Sequence, residues 1–90
     1  MEIEFDPSKR QMTLEDRGLD TADAGRVFEG DHLIIEDDRL DYGEPRYITI
    51  GFLDERMVAL VWAPRGEAIR IISMRKANDR EQALYAPRFR

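Results

Sequence analysis

Apolar and polar residues alternate at the start of the chain. Ile3 and Phe5 sit between Glu2 and Glu4, the period of a short half-buried strand. Asp6-Pro7 then predicts a helix start: aspartate can accept from free backbone N–H groups, and proline suits the first helical position because its missing N–H would be unpaired there. This helix is expected to run to about Arg17 and to end at Gly18. Only Met12 and Leu14 are clearly apolar within it, so its buried stripe is thin and its place peripheral. A second helix is expected from about Thr21 to Glu29, capped by Asp20 with Asp23 three residues on as a loose capping box, burying Ala24, Val27 and Phe28 and ending at Gly30. The short link Leu19-Asp20 predicts that the two helices pack as a hairpin.

Downstream the pattern becomes that of strands. Leu33-Ile34-Ile35 is a short apolar run, followed by an acidic segment from Glu36 to Glu44 that reads as a solvated loop, with Gly43 and Pro45 as punctuation. Arg46 to Phe52 is rich in β-branched and aromatic residues, Asp54-Glu55 is a turn, and Met57 to Ala63 is a nearly continuous apolar strand. Pro64 to Glu67 is a second turn, and Ala68 to Met74 is the last strand. Asn78-Asp79-Arg80-Glu81 has the spacing of a capping box and predicts a C-terminal helix holding Ala83, Leu84 and Tyr85, which Pro87 is expected to stop. The predicted class is α+β: a small antiparallel β-sheet, an N-terminal helical hairpin and a C-terminal helix, with the helices on one face. Ninety residues are expected to form a single domain, residues 1–90.

Composition narrows the function. The absence of cysteine removes disulfides, thiol catalysis and thiolate-bound zinc. No apolar run approaches the roughly 20 residues needed to span a bilayer. The acidic N-terminus does not read as a signal peptide, so no membrane association and a cytoplasmic location are expected. The net charge of −5 is unevenly spread. Residues 1–63 hold 7 Lys/Arg against 16 Asp/Glu, a net of −9, and residues 64–90 hold 7 against 3, a net of +4. An acidic body therefore carries a basic C-terminal third, which is either a solvated surface or a nucleic-acid footprint.

The chain has no glycine-rich phosphate loop, and its single histidine, His32, has no second histidine or cysteine with which to hold a metal. Ser73 has no evident histidine partner, and the acidic loop lacks the spacing of an EF-hand. No cofactor and no metal site are expected. Arginine remains. Strict alternation along the last strand would put Ile69, Ile71, Ser73 and Arg75 on one face and Arg70, Ile72, Met74 and Lys76 on the other. Arg75 and Lys76 lie at the strand end, Arg80 in the first turn of the following helix, Arg65 in the preceding turn and Arg46 at the start of a neighbouring strand. Convergence of Arg65, Arg75, Lys76 and Arg80 on one exposed surface is expected. Such a cluster can hold phosphates by charge-assisted hydrogen bonds and stabilise the charge of an in-line attack on a phosphodiester.

The sequence resembles the BrnT family of type II toxins. The resemblance is carried by Phe5-Asp6-Pro7-x-Lys9, Val27-Phe28, Glu44-x-Arg46-Tyr47-Ile48-Thr49-Ile50-Gly51 and above all Arg65-Gly66-Glu67-x-Ile69-Arg70-Ile71-Ile72-Ser73-x-Arg75-Lys76-Ala77, followed by Arg80-Glu81 and Tyr85. It implies a RelE/ParE-like fold and a metal-independent ribonuclease that inhibits translation. It also implies neutralisation by a ribbon–helix–helix antitoxin of the BrnA type in a hetero-oligomer that binds operator DNA only through the antitoxin complex. On this basis Arg46, Arg65, Arg75 and Lys76 are the expected catalytic residues. Lys9, Arg70, Arg80 and Tyr85 are the expected RNA-binding residues. Where the family usually carries Asn and then Lys-His-Gly along the first helix, this chain has Thr13 and then Asp16-Arg17-Gly18. That exchange supports a second expectation, a catalytically weak or inactive toxin homologue acting as an antitoxin-binding module in operon autoregulation.

Overall fold

The computed structural model describes residues 2–89. In chain order its elements are β1 (Glu2–Glu4), α1 (Pro7–Arg17), a 3-10 turn (Thr21–Asp23) leading into α2 (Ala24–Glu29), β2 (Leu33–Glu36), β3 (Tyr47–Leu53), β4 (Arg56–Arg65), β5 (Ala68–Lys76), α3 (Asp79–Tyr85) and a closing 3-10 turn (Ala86–Phe89). No helix is long and apolar enough to cross a membrane among the described residues.

The Asp6 carboxylate accepts from the Ser8 and Lys9 amides at the start of α1, and Gly18, at φ 66°, ends it by donating to the Leu14 carbonyl. No residue of α1 is buried, as its thin apolar stripe predicts. Asp20 caps the next segment through the Ala22 amide and receives a two-pronged hydrogen bond from Arg10 at 2.7 and 2.8 Å. The second helix is not continuous as expected. Its first turn is 3-10, and Asp23 makes no cap bond but pairs instead with Arg26.

The sheet has the order β1-β5-β4-β3-β2. Its last three strands form the expected antiparallel meander, but β1 runs parallel to β5, with Glu2, Ile3 and Glu4 opposite Ala68, Ile69 and Arg70. The sheet is therefore mixed, not antiparallel. Alternation fixes which side chains share a face but not strand direction, and no tight turn ties β1 to its partner. β4 continues through Pro64 and Arg65, which were expected in a turn. The β3–β4 pairing stops at Tyr47–Trp62, so β4 is locally an edge beyond it, a setting that tolerates proline.

Helices cover both faces, not one. Leu19, Ala24 and Val27 pack with Leu53, Val58, Leu60, Ile69, Ile71 and Met74 on one side. Tyr85, Ala86 and Phe89 pack with Ile48, Ile50, Met57 and Ala59 on the other. α2 lies so close to the sheet that a Cβ added at Gly51 would come within 2.5 Å of Val27 Cγ1, so any larger residue there would force Val27 to shift. Pro87 does not end the chain's helical path. The last residues tighten into the 3-10 turn, which puts Phe89 edge-on to Phe52.

One irregularity decides where the functional side chains point. Opposite Val61 and Trp62, β5 contributes an extra residue: Val61 pairs with Ser73 but Trp62 with Ile71, so Ile72 is bulged. A bulge reverses the alternation beyond it. Ile69, Ile71 and Met74 consequently share the α2-covered core, and Arg70, Ser73 and Arg75 share the opposite face. The strict alternation expected from sequence, which separated Arg70 from Arg75, is corrected by this single residue.

Candidate functional site

The face that α3 only partly covers is lined by arginine. Continued one residue beyond the Tyr47–Trp62 pair, the β3–β4 register would put Arg46 beside Ala63, which pairs with Arg70. Two strand spacings separate the arginines, about 10 Å. Arg65 follows Ala63 on the same face of β4. Arg75 is further along β5, opposite Ala59 and beside α3. From Arg65 to Arg75 the distance along the hairpin is on the order of 20 Å.

Each of these arginines meets a carboxylate. Glu44 accepts from Arg65 at 2.7 Å and lies 3.9 Å from Arg46, and Glu4, opposite Arg70, lies 4.0 Å from it. The Glu44 carboxyl is held below its ordinary range, first by the hydrogen bond from Arg65. Arg75 and Glu81 form a two-pronged pair at 2.6 and 2.8 Å. The hydrogen bonds from Arg75 lower the Glu81 carboxyl to about 2, although partial burial opposes them. Glu81 also caps a helix. Its Oε1 accepts from the Asn78 amide while the Asn78 side chain accepts from the Glu81 amide, the capping box that starts α3.

The loop between β2 and β3 builds one wall. It was expected to be solvated, but the Asp37 side chain is fully buried. Arg39 donates to both its oxygens at 2.6 and 2.8 Å, which lowers the Asp37 carboxyl, and the Asp37 amide bonds the Arg46 carbonyl. A buried carboxylate persists only with such partners. The Arg46 guanidinium lies 4.0 Å from the centre of the Tyr42 ring, and its buried Nε has no hydrogen-bond partner. Arg39, which sequence reasoning left out of the site, lies close enough to Arg75 for their like charges to interact. Its only sequence signal is its place between Asp38 and Leu40 in an otherwise acidic run.

Arg46, Arg65, Arg70 and Arg75 are therefore brought to one face. The other expected residues are placed differently. Lys76 pairs with Val58, whose side chain belongs to the α2-side core, so Lys76 is directed to the opposite face, where it is exposed. Lys9 is exposed on α1, and Arg80 is exposed in the first turn of α3. Tyr85 is half-buried against the Ile50–Ala59 cluster, so its ring is used in packing. The expected convergence of Arg65, Arg75, Lys76 and Arg80 is not found: Arg65 and Arg75 are at opposite ends of the hairpin, and each is paired to a carboxylate. What the arrangement offers is a row of planar guanidinium forks that can exchange carboxylates for phosphates.

A family model described as "Ribonuclease toxin, BrnT, of type II toxin-antitoxin system" matches residues 5–81. The chain belongs to the BrnT family. It is thereby placed among the ribonuclease toxins of type II toxin–antitoxin systems, whose partner is a protein antitoxin. The matched span of this BrnT chain takes in all four arginines of the face and ends at Glu81. No curated protein matches the chain in sequence.

Proposed function

We propose that this BrnT chain is a metal-independent endoribonuclease of the RelE type that arrests translation, with the RNA backbone lying across the arginine-lined sheet face. The observation that carries the reading is the placement of Arg46, Arg65, Arg70 and Arg75 on one face, which the bulge at Ile72 makes possible. RNA supplies its own nucleophile, the 2′-OH, so the protein has only to position the strand and stabilise charge on the attacked phosphorus. Arg75, whose partner Glu81 a phosphate can displace, is assigned to the scissile phosphate. Arg46, Arg65 and Arg70 hold the flanking backbone. Lys9 and Arg80, exposed outside this row, would contact the strand at short range, and Lys76, on the opposite face, takes no part.

In the cell, an antitoxin of the ribbon–helix–helix class would cover the same face with an acidic or amphipathic segment, in a hetero-oligomer that binds operator DNA through the antitoxin. The fold is read as RelE/ParE-like, the N-terminal helices pairing as a hairpin, and the location as cytoplasmic. A second reading is favoured by two observations: Asp16-Arg17 on α1, and the engagement of Arg65 and Arg75 by carboxylates. In that reading the chain binds its antitoxin but cuts nothing.

Expression without the partner separates the two. Growth arrest that Arg75→Ala relieves supports the nuclease, and normal growth with soluble protein supports the module. With purified protein, cleavage should persist in chelator, stop when the cleaved nucleotide is 2′-deoxy, and fall on the order of 100-fold with Arg75→Ala. Arg75→Lys should rescue poorly, since lysine lacks the planar fork. Cleavage that proceeds on DNA or stops with chelator overturns the mechanism.

A further inference from the structure

β1 pairs only with residues 68–70 of β5, so beyond them the outer edge of β5 faces α1. Arg17 Nη1 donates to the Met74 carbonyl there at 2.8 Å and fixes the helix to the strand edge. Between them is a cleft of about 170 Å³ whose lining includes Lys9, Met12, Thr13, Asp16, Ile72 and Ser73. Three features mark it as a binding site. First, its floor is apolar and uncovered: Met12 is 60% exposed, and the bulge leaves Ile72 half-exposed at the strand edge. Second, Lys9, Thr13 and Asp16 recur at helical spacing and present a cation, a hydroxyl and a carboxylate along one side. Third, neither Lys9 nor Asp16 has an ion-pair partner among the described residues, although the arginines of the sheet face do. A concave apolar floor with convergent, unpaired polar groups is the usual make-up of a ligand site. At this size it suits one ring system.

We infer that this cleft takes a single guanine base of the RNA strand and makes Asp16 the residue that selects it. The inference rests on the reading of the arginine face as the RNA path. Ser73 lines the cleft, and on β5 it lies between Arg70 and Arg75, both of which point to that face. A strand whose phosphates follow the arginines can therefore turn one base over the sheet edge. Single-stranded RNA is commonly read in this way, with the base splayed out and hydrogen-bonded on its Watson–Crick edge. A carboxylate has two acceptor oxygens side by side. Guanine alone offers two neighbouring donors, N1–H and the N2 amino group, with the O6 acceptor next to them for Lys9 or a hydroxyl. Adenine, cytosine and uracil each set an acceptor beside their donor and would put a lone pair against Asp16.

The test follows backbone amide NMR shifts as guanosine, inosine and adenosine 5′-monophosphates are added to the wild-type chain and to Asp16→Asn. Guanosine monophosphate should shift residues 9–17 and 71–74. Inosine monophosphate, which lacks the N2 amino group, should bind about tenfold more weakly, and Asp16→Asn should remove the difference. Shifts absent from those segments, or equal for all three nucleotides, or a preference that survives Asp16→Asn, overturn the inference. RNA cleavage assayed in parallel keeps the two readings apart. Selective guanine binding without cleavage of any RNA leaves the cleft standing and removes the nuclease, and cleavage without selectivity does the reverse.

Discussion

Glu81→Gln should strengthen RNA binding while lowering stability. Glu81 caps α3 through the Asn78 amide and also occupies both prongs of Arg75. Glutamine keeps an oxygen for the cap, since Gln serves in a capping box as Glu does. It loses the charge and cannot accept from both guanidinium nitrogens. The Arg75 side chain is 38% exposed and that of Glu81 21%, so solvent screening discounts the pair to about 1–2 kcal/mol. Displacing the carboxylate costs a phosphate that amount, and tenfold in affinity corresponds to about 1.4 kcal/mol. Glu81→Gln should therefore bind a short RNA roughly tenfold more tightly in fluorescence anisotropy at fixed low salt, and unfold in urea with about 1 kcal/mol less stability. In the Arg75→Ala background the same substitution should give no gain. An affinity unchanged by Glu81→Gln, together with an Arg75→Ala variant that binds as well as wild type, would refute the assignment of Arg75 to the RNA.

Acid should destabilise the protein over a defined window. Glu81, at about 2 against an ordinary 4.5, and Asp20, at about 2 against 3.8 through its hydrogen bond from Arg10, have folded-state values below their unfolded ones. Their contribution is complete above the ordinary range and is lost as pH falls from about 4.5 to about 2, so the urea midpoint should drop there, less steeply in Glu81→Gln; a flat profile contradicts the pairing. Gly51→Ala should cost about 1–3 kcal/mol in urea unfolding, because its Cβ would overlap Val27, and Val27→Ala should partly compensate it. Glu55→Gly should raise thermal stability by about 1 kcal/mol, because Asp54 and Glu55 both take positive φ (50° and 69°) in the turn joining β3 and β4. A lowered melting temperature would show that the turn depends on the Glu55 side chain.

Local chemistry made most elements legible in the sequence. Asp6-Pro7 and Asn78-x-x-Glu81 start helices where their side chains satisfy free amides, and Gly18 stops one where φ is positive. What sequence pattern missed depends on contacts distant along the chain. The parallel pairing of β1 with β5 joins residues more than 60 apart, and nothing in Ile3 or Phe5 encodes direction. The burial of Asp37 depends on Arg39 folding back over it. The bulge did leave a trace. Apolar core positions at 69, 71 and 74 break the period of two, and Ser73 stands where strict alternation would have placed a core residue. A spacing of three within a strand is the mark of an extra residue, and reading it so would have put Arg70 beside Arg75 on one face.

The same geometry shows how a chain of net charge −5 could present the phosphate-binding face proposed for it. Arginine heads left free on a sheet would repel one another and sample many rotamers, and ordering them on binding would cost entropy. Here Glu44 and Glu81 hold Arg65 and Arg75 in place by hydrogen bonds, Glu4 lies 4.0 Å from Arg70, and Tyr42 stacks against Arg46. Each carboxylate offsets the charge of its arginine and, on the proposed reading, would give way to a phosphate oxygen. On the proposed reading, the face would be ordered before RNA arrives and nearly neutral at long range. Long-range attraction would admit any polyanion, whereas displacing three carboxylates at once requires phosphates at matching intervals. If this face is the RNA path, its selectivity would arise from the spacing of the guanidinium forks and not from net charge.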